Sequence, residues 1–176
     1  MHRPLASIAG LLLFAAPALA IDMPARKPGL WELTMQLDRH NLPARVMKQC
    51  IDPATDKLLN SNFGGPAQEA CSKHDISQSG NTIVIDSVCQ FGPVTSTSHA
   101  VVAGRFDSDY TVEVTSTRQG GPPVPGMTAD AATHMTIAAK WLGPCAAGQR
   151  PGDVIMSNGM TMNILDLQKG IPPKRP

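Results

Sequence analysis

The sequence is short of aromatic residues: Phe, Tyr and Trp make up 4% of 176 residues, while hydrophobic residues make up 42%. A core with so few rings must be filled by aliphatic side chains and by methionine, of which there are nine. An excess of charge is missing too. Fifteen Lys and Arg stand against 14 Asp and Glu, and without Arg3, which lies in a leader segment, the two counts are equal. That balance excludes a generic polyanion binder, because phosphate backbones are gripped by a basic excess. It also excludes an acidic disordered chain. Beyond the N-terminus no apolar run is long enough to span about 30 Å of hydrocarbon. Long helical periods are absent, and 15 Gly and 16 Pro punctuate the chain. This argues against a helical bundle and for short elements joined by turns.

Familiar catalytic spacings are lacking as well. There is no G-x-S-x-G elbow, H-E-x-x-H helix, Walker loop or G-x-G-x-x-G turn. The cysteines form no C-x-x-C redox pair. His40, His74, His99 and His134 are scattered, with no acid–base partner visible in the sequence. Asp107 and Asp109 flank a turn, where Asp is favoured for its bonds to the backbone. No catalytic or cofactor-binding residue is assigned, no cofactor is implied, and the reading leans away from an enzyme.

What the chain does have begins with its leader. His2 and Arg3 precede an apolar run from Leu5 to Ala16, and Ala18-Leu19-Ala20 supplies small residues around a cleavage point. Residues 1–20 read as a signal peptide cut after Ala20, which places the mature chain in the periplasm or outside the cell. Residues 21–168 read as one domain and 169–176, with three prolines, as a loose tail. No transmembrane segment is expected once the leader is gone.

The four cysteines agree with export. Cys50, Cys71, Cys89 and Cys145 are an even set in the mature part, and their wide spacing does not suit a zinc site. Three connectivities are possible. Cys71 and Cys89 are equidistant from Gly80, the centre of the proposed turn Ser79-Gly80-Asn81, so a symmetric hairpin sets them opposite each other. Cys71–Cys89 is therefore expected, leaving Cys50–Cys145.

Strand signals run through the chain. Trp31 to Asp38 alternates strictly, apolar at odd positions. Arg45–Ile51, Cys71–Gln78, Thr82–Gln90, Ser96–Phe106, Tyr110–Arg118, Thr133–Leu142, Val154–Met156 and Met160–Ile164 follow, separated by turn residues. Asp52-Pro53 begins one short helix, with Asp52 as N-cap. The fold class is all-β: an antiparallel meander curled into a sandwich or a partly closed barrel, with one short helix at most besides the leader. Trp31 and Trp141, one on each of two amphipathic strands, are expected to be buried core anchors.

Several stretches are familiar in combination. Pro28-Gly29-Leu30-Trp31-Glu32 opens the mature domain, Cys50-Ile51-Asp52 follows the second strand, and Asp86-Ser87-Val88-Cys89 closes a hairpin arm. Lys140-Trp141-Leu142-Gly143-Pro144-Cys145 closes a late strand. With its leader and its Met-, Gly- and Pro-rich body, the chain resembles the domain-of-unknown-function family 3617, small exported bacterial proteins, over nearly all of the mature part. The resemblance implies export and paired cysteines. It carries over no catalytic or ligand residue.

Three functions are compatible with these features. The first is a non-enzymatic binding or envelope-interaction module, whose partner would be another envelope protein. The second is a carrier holding a small apolar ligand in a β-barrel cavity. The third is a hydrolase assembled from distant residues. Met160 and Met162 add a minor alternative. Two residues apart on a strand, their thioethers would face the same way and suit Cu(I). Methionine as core filler is the simpler account of them.

Overall fold

The computed structural model describes residues 23–38, 42–64, 70–122 and 131–170, with the backbone alone over 61–64. The leader, His40 and the tail beyond residue 170 lie outside them. Nine strands form one antiparallel sheet: β1 (Gly29–Leu37), β2 (Arg45–Ile51), β3 (Cys71–Ser79), β4 (Thr82–Phe91), β5 (Val94–Arg105), β6 (Asp109–Gln119), β7 (Thr133–Gly143), β8 (Asp153–Met156) and β9 (Thr161–Asn163). Their order is β3-β4-β5-β6-β7-β1-β2-β8-β9. The all-β antiparallel class is therefore as expected, and of the two arrangements named, a sandwich or a partly closed barrel, the strands form neither two sheets nor a closed ring but one open sheet with β3 and β9 at its edges. The β1–β2 hairpin is inserted between β7 and β8, so the first strand of the domain is central.

Local chemistry sets the turns. β3 and β4 meet at Ser79↔Thr82 around Gly80, whose φ of 59° suits glycine. One hairpin escapes the sequence reading: Phe91 pairs with Val94 around Gly92-Pro93, with Gly92 at φ 58°. Strand β5 therefore starts two residues before Ser96.

The single-helix expectation needs correction, since there are two helices among the described residues. In α1 (Pro53–Gly64), the Asp52 side chain accepts from the Thr55 backbone N–H at 2.8 Å. The Asp52 N–H donates back to the Thr55 hydroxyl at 3.0 Å, closing a reciprocal cap. The second helix, α2 (Ile164–Gln168), interrupts what reads as a strand over Met160–Ile164, because the Asn163 side chain accepts from the Leu165 N–H and caps a helical turn.

Both cysteine pairs are joined, Cys71 to Cys89 and Cys50 to Cys145. The first ties the edge strand β3 to β4. The second pins the segment after β7 as it crosses to β8, helped by the Gly152 N–H on the Cys50 carbonyl.

One sheet face holds the core: Trp31, Leu33, Ile51, Ile137 and Ala139, with Leu59 of α1 packed against them. The opposite face carries Glu32, Thr34, Thr111, Glu113, Thr136 and Lys140. Trp31 is 0% exposed, as expected of a core anchor. Trp141 packs against the same cluster but is less fully covered, half-buried at the end of β7 with the Lys27 ammonium 3.6 Å from its ring centroid. A ring that shares one side with a solvated cation cannot be enclosed on both.

Candidate functional site

The segment before β1 supplies the most deeply placed charge. Arg26 and Asp56, with side chains 4% and 2% exposed, form an ion pair at 2.7 Å. The Arg26 backbone N–H also donates to Asp56, at 2.8 Å. The Arg26 guanidinium donates to Gln49 at 3.0 Å and lies 5.8 Å from the Trp31 ring centroid. Tyr110 completes the group, with its hydroxyl 3.5 Å from the guanidinium and its ring stacked on Phe106 at 4.9 Å. Burial pushes the Tyr110 phenol above its ordinary value, against the opposing pull of Arg26.

Among the described residues no buried side-chain nitrogen or oxygen lacks a partner. Each buried polar group of the network is paired within it. The work of the network is to fasten the N-terminal segment and α1 over Trp31. Sequence reasoning missed it because Arg26 and Asp56 are 30 residues apart and belong to no periodic pattern. Beside it, the N-terminal segment and two turns enclose a surface cleft of about 600 Å³, lined among others by Ala25, Lys27, Asn81, Arg105 and Phe106.

The remaining sequence candidates are scattered. His99 Nδ1 lies 2.8 Å from Asp86, an acid partner that the sequence concealed because it depends on the β4–β5 register. His134 Nδ1 lies 3.0 Å from the Thr115 hydroxyl. Both contacts are exposed on the polar face, where water screens an ion pair. Asp107 pairs with Arg105 at 3.1 Å, a turn contact. Met162 is on β9, but Met160 precedes the strand. Among the described residues no three His, Cys, Asp or Glu side chains gather to hold a metal ion. No helix among them is long and apolar enough to cross a membrane.

The most extended chemical feature is a row on the core face of the sheet. Register places Ile76, Ile85, Ala100, Val114, Met135 and Leu37 opposite one another in turn, across β3, β4, β5, β6, β7 and β1. Every one is apolar and every one is only half-buried. The next row inward holds Ile83 and Val102, each 1% exposed, and Ile137. An apolar row that continues past the closed core is surface available for contact.

Residues 26–145 match the family described as "Protein of unknown function (DUF3617)". The chain belongs to that family. The match takes in the Arg26–Asp56 network, both disulfides and the whole apolar row, and it ends before β8, β9 and α2, so it is shorter than the near-complete resemblance read from the sequence. DUF3617 assigns no activity. No curated protein and no solved structure matches the chain.

Family membership makes the Pro28-Gly29-Leu30-Trp31 opening worth explaining. Gly29 has φ 133°, and a Cβ there would sit 2.6 Å from the Trp141 indole nitrogen and 2.4 Å from the Gly143 carbonyl oxygen. Only glycine lets the Trp141 N–H reach the Pro28 carbonyl, at 3.1 Å. In this DUF3617 chain the motif is a packing device.

Proposed function

We propose that this chain is an exported binding module that holds an apolar segment of another envelope protein against the Ile76–Leu37 row, without catalysis. The row carries the reading: six apolar side chains in register over six strands, none fully buried. At about 4.8 Å per strand it is roughly 24 Å long, room for an extended segment of about seven residues. Export rests on the leader pattern of residues 1–20 and is supported by two disulfides, which persist in oxidising compartments. A carrier of a small apolar ligand draws on the same row. The open sheet edges and the filled core around Trp31 support it less, because a carrier encloses its cargo.

Photo-crosslinking in the producing cell tests the proposal. Benzoylphenylalanine at position 100, in the row, should give a discrete protein adduct, and at position 115, on the polar face, none. Equal yields from both, or an adduct only with the chain's own residues, would contradict it. Bound lipid or another small apolar molecule in native mass spectra would favour the carrier instead.

A further inference from the structure

We propose that the β8–β9 hairpin carries a soft-metal site, in which a Cu(I) ion is held by the thioethers of Met156, Met160 and Met162. The ladder pairs Val154 with Met162 and Ile155 with Thr161. The Met156 N–H donates to the Met160 carbonyl at 2.9 Å, which carries the pairing one step further and sets Met156 opposite Met160. Met160 stands one residue ahead of β9 but pairs with Met156 through this bond, and residues directly opposite each other lie on one face; with Met162 opposite Val154, two residues from Met156, the three methionines share that face. Directly opposed residues have Cβ atoms about 5 Å apart. A thioether sulfur two bonds beyond Cβ lets three such residues close on one ion.

Two observations separate this group from core methionine. All six of these methionines are half-buried, but Met35, Met47 and Met135 pack against the core cluster, and Met156, Met160 and Met162 are not among the residues packed against it. The turn is fixed from within: the Gly159 N–H donates to the Met156 carbonyl, and the Met160 N–H to the Asn158 side chain at 3.1 Å. Met47 stands opposite Met156 on β2, but it packs on the core and its sulfur accepts from Gln49 at 3.7 Å, so it is not a ligand of this site. Thioethers are neutral and soft. They select Cu(I) over zinc and over the hard cations that need carboxylates. No free thiol among the described residues competes for the ion.

The test is an anaerobic titration of the disulfide-bonded protein with Cu(I) against bicinchoninate. One ion per chain should be withdrawn from the chelator. The Met156→Leu, Met160→Leu, Met162→Leu variant should withdraw none, while Met35→Leu behaves as the parent. Leucine conserves volume, so the thermal midpoint should hold. Should the triple variant not fold, the methionine methyl signals of the parent protein decide. Addition of Cu(I) should shift those of Met156, Met160 and Met162 and leave Met35 and Met135 unmoved. Binding should also stay level between about pH 8 and about pH 5, because a thioether has no proton to lose. Failure to compete with the chelator, binding that survives the triple change, or loss of binding over the histidine range would each overturn the proposal.

Discussion

Trp31 and Trp141 stand opposite each other in the β1–β7 ladder, and their indole N–H groups donate to consecutive carbonyls, Lys27 at 2.8 Å and Pro28 at 3.1 Å. The two rings hold the same short segment but differ in burial. Trp31→Ala should cost about 3–5 kcal/mol, the range for a fully buried aromatic. Trp141→Ala should cost less, because part of its surface is already in water, and Lys27→Ala should cost no more than about 1 kcal/mol for a partly exposed cation–π contact. Urea unfolding of the three variants checks the order.

The Arg26–Asp56 pair should behave as a buried charge pair. Arg26→Met leaves Asp56 without its guanidinium in the interior and should destabilise by about 3–5 kcal/mol. Adding Asp56→Leu should recover only part of that, because Gln49 has already lost its guanidinium donor and the backbone N–H at position 26 then loses its acceptor. A double-mutant cycle by denaturant unfolding measures the coupling.

The disulfides should contribute unequally. Cys50–Cys145 spans 95 residues and Cys71–Cys89 spans 18. In the chain-entropy model these correspond to about 4.7 and about 3 kcal/mol. Replacing Cys50 and Cys145 by Ala should therefore lower the melting temperature more than replacing Cys71 and Cys89, as calorimetry of the two double variants would show.

Two groups give the stability a pH profile. The Thr55 backbone N–H, and then its hydroxyl, hold the Asp52 carboxyl below its ordinary value of 3.8. A depressed acid stabilises fully above that value. The contribution of this cap, about 1 kcal/mol, is lost as pH falls through the lowered folded value. Tyr110 is raised above 10.0 by burial. Its contribution is complete below that value and is lost as pH rises, because the unfolded chain releases the phenol proton first. Denaturation midpoints should fall at both ends of the profile. Asp52→Asn should flatten the acid limb and Tyr110→Phe the alkaline one.

Much of this fold is legible in the sequence because strand period and turn residues are local signals. Trp31, Leu33 and Ile137 can be assigned to a core face from alternation alone. Placing β1 beside β7 cannot be read that way, since it depends on pairings as distant as Leu30↔Gly143. The Asp86–His99 contact and the Ile76–Leu37 row are hidden for the same reason: each needs the register of neighbouring strands. That Trp141 is less buried than Trp31 is not legible either, because alternation says which way a side chain points, not how far its neighbours cover it. The Asn163 cap of α2 lies inside a run of apolar residues, where period alone suggests a strand.

The central claim is that the Ile76–Leu37 row is a surface kept open for a partner, one row out from a closed core. A glutamate in each row measures this directly. Val114→Glu should keep a cooperative thermal transition within a few degrees of the parent, because the charge can reach water, while Val102→Glu should fail to fold, because its site is 1% exposed. If Val114→Glu collapses the structure as completely as Val102→Glu, the row is core and the proposed binding face does not exist.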